Sequence, residues 1–193
     1  MPDAEPDPRP LLGEPLPLDL LNTQWIERGQ LQDLLVTVAG VGTWLRSAQI
    51  SADSIIPPAS EEVRRALRHA RQVIQAVAER PSSPQALDAF NRLLAHGRRE
   101  RMLTATAPAA RVVIDSPEWT VPWLAADEYV DLLLTCPDRI KHCVHPECVL
   151  WYLDTSRSGT RRWCSMSVCG NRTKATRHYQ RRTASPGTAD AMR

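Results

Sequence analysis

Residues 143–169 read CVHPECVLWYLDTSRSGTRRWCSMSVC, and the placement of cysteine in this stretch decides the C-terminal fold. The spacing is Cys143-x4-Cys148, fifteen further residues, then Cys164-x4-Cys169. Two close cysteine pairs separated by a longer run suit a tetrahedral four-thiolate zinc site, each pair sitting on a tight turn. Four thiolates leave no open position for a catalytic water, so the one zinc ion expected is structural. Reduced structural cysteines or a redox pair are the competing readings. His142 and His145 flank the first pair as alternative ligands, but the regular spacing favours the four cysteines. Cys136 lies outside the pattern on a leucine-rich stretch and reads as a small buried hydrophobe.

The residues between and after the pairs read as a zinc ribbon followed by a basic helix. Val149-Leu150-Trp151-Tyr152-Leu153 is β-prone. Residues 154–159 are turn-rich, and Arg161-Arg162-Trp163 leads back to the second pair. Gly170 is expected to take a positive φ directly after Cys169, and Asn171 to cap a helix over 172–182. That helix carries Arg172, Lys174, Arg177, Arg181 and Arg182 and no acid. Arg157, Arg161 and Arg162 extend the same positive surface. Arginine forks pair with phosphate oxygens and with guanine edges, so these eight side chains are the candidate nucleic-acid contacts.

Working outward, the net charge of +2 conceals a division. Residues 1–138 carry 13 Arg and no Lys against 19 acids, a net −6. Residues 139–182 carry 10 basic residues against Glu147 and Asp154, a net +8. A basic module on an acidic body points to a polyanionic partner. The alternative is a protein-interaction module whose basic finger docks an acidic protein, or the chain's own body.

At 193 residues, with 42% hydrophobic and 24% charged, the chain suits one ordinary domain plus a small module. No apolar run approaches the roughly 18–20 residues of a membrane span. Met1–Glu5 lack the basic start and apolar stretch of a signal peptide, so a cytoplasmic protein is expected.

The body reads as mostly α. Six prolines in residues 1–17 suggest a flexible tail, and the folded domain is expected over 18–138. Leu34, Val38, Val41 and Leu45 predict a helix over 33–48. Ser60, Glu61 and Glu62 open a helix over 60–80, with Val63, Leu67, Ala70, Ile74 and Val77 inward and Arg64, Arg65, Arg68 and Arg71 on solvated faces. Ser83 and Pro84 open a helix over 84–96, with Leu87, Phe90, Leu93 and Leu94 inward. Residues 111–115 form a β-rich run that Met102-Leu103-Thr104 can pair with in a short hairpin. Residues 121–136 predict a last helix, with Leu124, Val130, Leu132, Leu133 and Leu134 supplying apolar surface. Residues 183–193 are expected to be disordered. No phosphate loop, G-x-S-x-G or H-E-x-x-H occurs, and His69 and His96 stand apart in sequence. No enzymatic activity is expected.

Residues 139–182 resemble the CGNR zinc finger. The likeness rests on Cys169-Gly170-Asn171-Arg172, Leu153-Asp154-Thr155-Ser156, Arg161-Arg162-Trp163-Cys164-Ser165-Met166 and Lys174-Ala175. Leu18-Asp19-Leu20-Leu21-Asn22-Thr23 is similar to the opening motif of the ABATE domain that usually precedes this finger. The resemblance implies a bacterial, stress-related transcription regulator that binds zinc through its four cysteines and contacts nucleic acid, with DNA favoured over RNA. Homodimerisation and a small-molecule effector of the N-terminal domain are further partner expectations, and no membrane partner is expected.

Overall fold

The structure, a computed structural model, describes residues 6–50 and 55–170. The basic helix expected over 172–182, with Asn171, Arg172, Lys174, Arg177, Arg181 and Arg182, lies outside the described residues, as does the tail 183–193. Among the described residues the body has five α-helices and two hairpins. Helix α1 (Leu16–Leu21) is followed by strands β1 (Gln24–Glu27) and β2 (Gln30–Asp33), then α2 (Val38–Ser47), α3 (Glu61–Glu79) and α4 (Pro84–Leu94). Strands β3 (Gly97–Leu103) and β4 (Pro108–Ile114) precede α5 (Thr120–Thr135). The finger contributes β5 (Ile140–His142) and β6 (Trp151–Leu153). The three sheets are separate antiparallel pairs. Among the described residues no helix is long and apolar enough to cross a membrane.

Short α1 is the axis of the core. Leu16, Leu18, Leu20 and Leu21 are all buried, and the helix touches α3, α5 and β6. The Pro-rich segment before it is not a flexible tail from Asp7 onward. Arg9 is 4% exposed and bonds Asp7 and Asp19, both at 2.8 Å. Asp19 also accepts from the Trp44 indole at 2.7 Å, and Asp7 accepts from Ser47 Oγ. A buried guanidinium needs such partners, so this segment is locked to α1 and α2.

Local chemistry sets most boundaries. Ser60 Oγ accepts from Val63 N–H and caps α3; Ser83 does the same for Ala86 and α4. The five apolar residues expected inward on α3 are buried, but so is Arg71, 3% exposed. Its fork grips Asp33 at 2.7 and 2.6 Å and reaches Thr23 Oγ1 at 2.7 Å. The α2 helix begins at Val38 rather than 33, because Asp33 ends β2 and Thr37 Oγ1 caps the helix at Gly40 N–H. The β1–β2 turn puts Arg28 (φ 50°) and Gly29 (φ 78°) in the left-handed region, which suits the twist of a two-residue hairpin.

A hairpin forms here, but not in the expected pairing: Arg111–Ile114 lie opposite Glu100–Gly97, whereas Met102 and Leu103 lie opposite Ala109 and Pro108 nearer the turn. Three inward assignments change, on two helices. Leu87 is exposed while Ala86 joins Phe90 and Leu93 inside. On α5 the buried face is Val121, Trp123, Leu124, Ala125, Ala126 and Tyr129, leaving Leu133 and Leu134 exposed.

Candidate metal centre

Each cysteine is set by a specific turn. Cys143 follows β5, and its N–H donates to Leu150 O at 2.9 Å, closing the 143–150 loop. Inside that loop His145-Pro146-Glu147-Cys148 is a β-turn, with Cys148 N–H on His145 O at 3.0 Å and proline at its second position. Val144 N–H donates to Arg162 O at 3.1 Å, binding the first knuckle to the second. The second knuckle ends in a single π-turn, Met166–Gly170, where Gly170 N–H reaches Ser165 O at 3.0 Å. Gly170 does not take the positive φ expected of it; among the described glycines only Gly13, Gly29 and Gly159 do. A Cβ on Gly170 would instead lie 2.6 Å from Met166 Sδ, inside the turn.

These turns bring the sulfurs of Cys143, Cys148, Cys164 and Cys169 within 4.8 Å of one another, all buried. The Cys148–Cys164 and Cys164–Cys169 sulfur separations are 3.8 and 3.7 Å. Both are far longer than a disulfide, and none of the four cysteines is disulfide-bonded. A tetrahedral zinc with sulfur at about 2.3 Å holds its ligands about 3.8 Å apart, so the observed spacing fits the ion. Cys164 N–H also points at Cys143 Sγ, 3.4 Å away.

Without a cation the set cannot ionise together. Hydrogen bonds from Cys148 and Cys164 hold the Cys143 thiol far below its usual range. The Cys143 thiolate in turn pushes Cys148 up to about 12, and Cys143 with Cys148 pushes Cys164 higher still. Burial raises Cys169. A divalent cation removes that conflict by compensating every thiolate. Neither histidine joins the set: His142 is exposed and lies edge-on to Trp151, and His145 Nδ1 accepts from Glu147 N–H at 3.2 Å. Cys136 is half-buried rather than buried, ending α5 beside Thr135.

Two family models match the chain. Residues 139–182 match the CGNR zinc finger. Residues 14–135, more than half of the chain, match ABATE, described as "Putative stress-induced transcription regulator". The chain belongs to the ABATE family. No curated protein matches it. The four clustered cysteines lie inside the CGNR match and are its zinc ligand site, with one structural zinc.

The ABATE body and the CGNR finger share contacts that sequence reading did not reveal. The cysteine cluster packs with Leu150 and Tyr152 of the finger and with Trp25 of β1, while Leu11 and Leu34 pack at its edge. Trp151 of β6 belongs to the body's core. Glu14 Oε2 accepts from Leu153 N–H at 2.8 Å, and Asn22 bonds Trp151. Asn22 lies in the opening motif quoted above, but nothing local to it points 129 residues ahead.

Asp154 organises the loop between the knuckles. Oδ1 accepts from Ser156 N–H at 3.0 Å and from its hydroxyl; Oδ2 accepts from Arg161 N–H at 2.9 Å and pairs with Lys141 at 3.2 Å. These donors, the Ser156 hydroxyl foremost, hold the carboxyl well below the usual carboxylate range. The candidate nucleic-acid residues then separate. Arg161 lies over the Tyr152 ring, 4.3 Å from its centroid, and donates to the carbonyls of Trp163 and Cys164, so its fork is used inside the finger. Arg157 and Arg162 are exposed.

Proposed function

We propose that this chain is a zinc-dependent nucleic-acid-binding protein without enzymatic activity, acting as a DNA-binding transcription regulator. The observation that carries the reading is the four-thiolate cluster: it builds a rigid platform from which exposed Arg157 and Arg162 project. The five basic residues of 172–182 follow it directly in sequence, with no acid among them. A small metal-fixed scaffold presenting arginines suits phosphate contacts for affinity and base-edge contacts for specificity.

The rival in which the basic segment docks on the chain's own acidic body is weakened by how the body uses its acids. Asp7, Asp19, Asp33, Glu61, Glu62, Asp88, Glu100 and Asp127 pair with arginines of the body, and Asp115 with His96. Nine of the body's 19 acids are therefore already engaged locally and are not free partners for the basic segment.

The deciding experiment is selection of bound oligonucleotides from random DNA and RNA pools by the full chain, with zinc present and then chelated. Enrichment of DNA that disappears with the metal is the expected result. Enrichment of RNA alone reassigns the polymer. No enrichment in either pool moves the finger to the protein-interaction reading.

A further inference from the structure

A cleft of about 540 Å³ opens between α3, the end of α4 and the short turn Pro117–Trp119, and no residue of the finger lines it. That volume is in the range of small-molecule sites. Its floor is apolar, with Ala66 and Leu93 both buried. Its wall is an aromatic cluster. The His96 ring lies flat on Trp119, with centroids 3.8 Å apart and planes 6° apart, and His69 meets Trp119 edge-on at 5.9 Å. His96 is fixed by Asp115, 2.8 Å from its Nδ1. The two histidines, apart in sequence, thus frame one tryptophan.

The charged groups facing the cleft are not equivalent. Glu118 accepts from Ser116 Oγ, and the backbone and Ser60 at the start of α3 hold the Glu62 carboxyl below its ordinary value. Glu118 is therefore engaged by Ser116. Arg65 and Arg92 pair only with exposed acids of their own helices: Glu62 at 3.5 Å, and Asp88. Each of these four side chains is more than 60% exposed, and pairs of this kind are weak and exchangeable. Among the described residues the His69 ring makes no hydrogen bond. An apolar floor, an aromatic wall and cationic forks free to change partner select a flat ring bearing a carboxylate.

We infer that this cleft binds a small aromatic carboxylate, its ring against Trp119 and the Ala66–Leu93 floor and its carboxylate at the Arg65–Arg92 rim. The inference is independent of nucleic-acid binding. Calorimetric titration of the zinc-loaded full chain with benzoate, 2-naphthoate, benzyl alcohol and acetate tests it. Both aromatic carboxylates bind; benzyl alcohol, without the charge, and acetate, without the ring, bind at least about tenfold more weakly. The Arg65→Gln/Arg92→Gln double variant keeps the wild-type thermal midpoint, since both side chains are exposed, and loses at least about tenfold in benzoate affinity. Benzoate also shifts the Trp119 indole N–H resonance, assigned by its absence in Trp119→Phe. No benzoate binding at millimolar concentration overturns the inference. So does acetate binding as well as benzoate, or an unchanged affinity in the double variant.

Discussion

The side-chain amide of Asn22 makes both hydrogen bonds of a strand partner to the backbone of Trp151: Nδ2 donates to the carbonyl at 2.9 Å and Oδ1 accepts from the N–H at 2.8 Å. Asn22 is fully buried and ends α1, the centre of the ABATE core; Trp151 opens the strand between the two cysteine knuckles. One side chain therefore completes the hydrogen bonding of the finger's strand from inside the body. With Glu14 on Leu153 and Trp25 packed in the cysteine cluster, body and finger share a buried, hydrogen-bonded joint.

Asn22→Ala leaves a buried donor and a buried acceptor of Trp151 unpaired. Each orphaned group costs about 1–3 kcal/mol, so a loss of about 2–6 kcal/mol is expected, read as a lower urea midpoint of the zinc-loaded chain. Asn22→Asp replaces the donor with an oxygen facing the Trp151 carbonyl and is expected to be no better. A finger that unfolded independently of the body would show neither effect on body probes such as α3 amide exchange.

Zinc removal should reach the body through the same joint. Structural zinc contributes about 10–16 kcal/mol in finger peptides, comparable to or larger than the about 5–15 kcal/mol net stability of a typical domain. Chelation, or Cys164→Ser, is expected to lower the thermal midpoint of the whole chain and to expose Trp25. Metal analysis should give one zinc per chain, and cobalt(II) substitution a tetrahedral thiolate spectrum. An unchanged midpoint after full metal loss would contradict the shared core.

What could be read from the sequence was what local chemistry encodes. Ser60 and Ser83 announced α3 and α4, and the cysteine spacing announced the sulfur cluster, because caps and knuckles are set by a few adjacent residues. The pieces that misled depended on distant partners. Arg71 looked like a solvated helix residue because Asp33, its partner, is 38 residues away. Arg9 sat in a Pro-rich run that promised a tail, yet Asp19 and Ser47 hold it. Leucine count pointed to the end of α5, whereas helical phase buries Ala125, Ala126 and Tyr129 and leaves Leu134 outside. Arg161 counted as positive surface because sequence does not show the carbonyls that it serves.

Asp154 gives the finger a pH dependence of known sign. Its carboxyl titrates below the unfolded value because the Ser156 hydroxyl and backbone, Lys141 and the Arg161 N–H stabilise the ionised form. The stabilisation is complete above the unfolded value, about 3.9, and is lost as pH falls through the lower folded one. Asp154→Asn is expected to lower stability at neutral pH, and the gap to wild type should close in acid below about pH 4. Parallel urea titrations at neutral and acid pH measure that gap. A gap constant with pH would mean that the charge of Asp154 contributes nothing.

Of the four arginines of the described finger, the three candidate contacts Arg157, Arg161 and Arg162 should divide into two behaviours. Arg157 and Arg162 are exposed, so Arg157→Ala and Arg162→Ala are expected to leave the thermal midpoint unchanged. If each contacts a phosphate, each removal flattens the slope of log affinity against log salt by about 0.9 for duplex DNA. Arg161→Ala removes the cation from the Tyr152 face and leaves the carbonyls of Trp163 and Cys164 without their donor. It is expected to lower the midpoint and weaken zinc retention, because the Cys164 turn loses its brace, with any loss of nucleic-acid binding following from that. Saturating zinc therefore restores binding to Arg161→Ala but not to Arg157→Ala or Arg162→Ala. Rescue of all three by zinc would place every one of them in the scaffold, and the phosphate contacts would then fall to the basic run that follows Asn171.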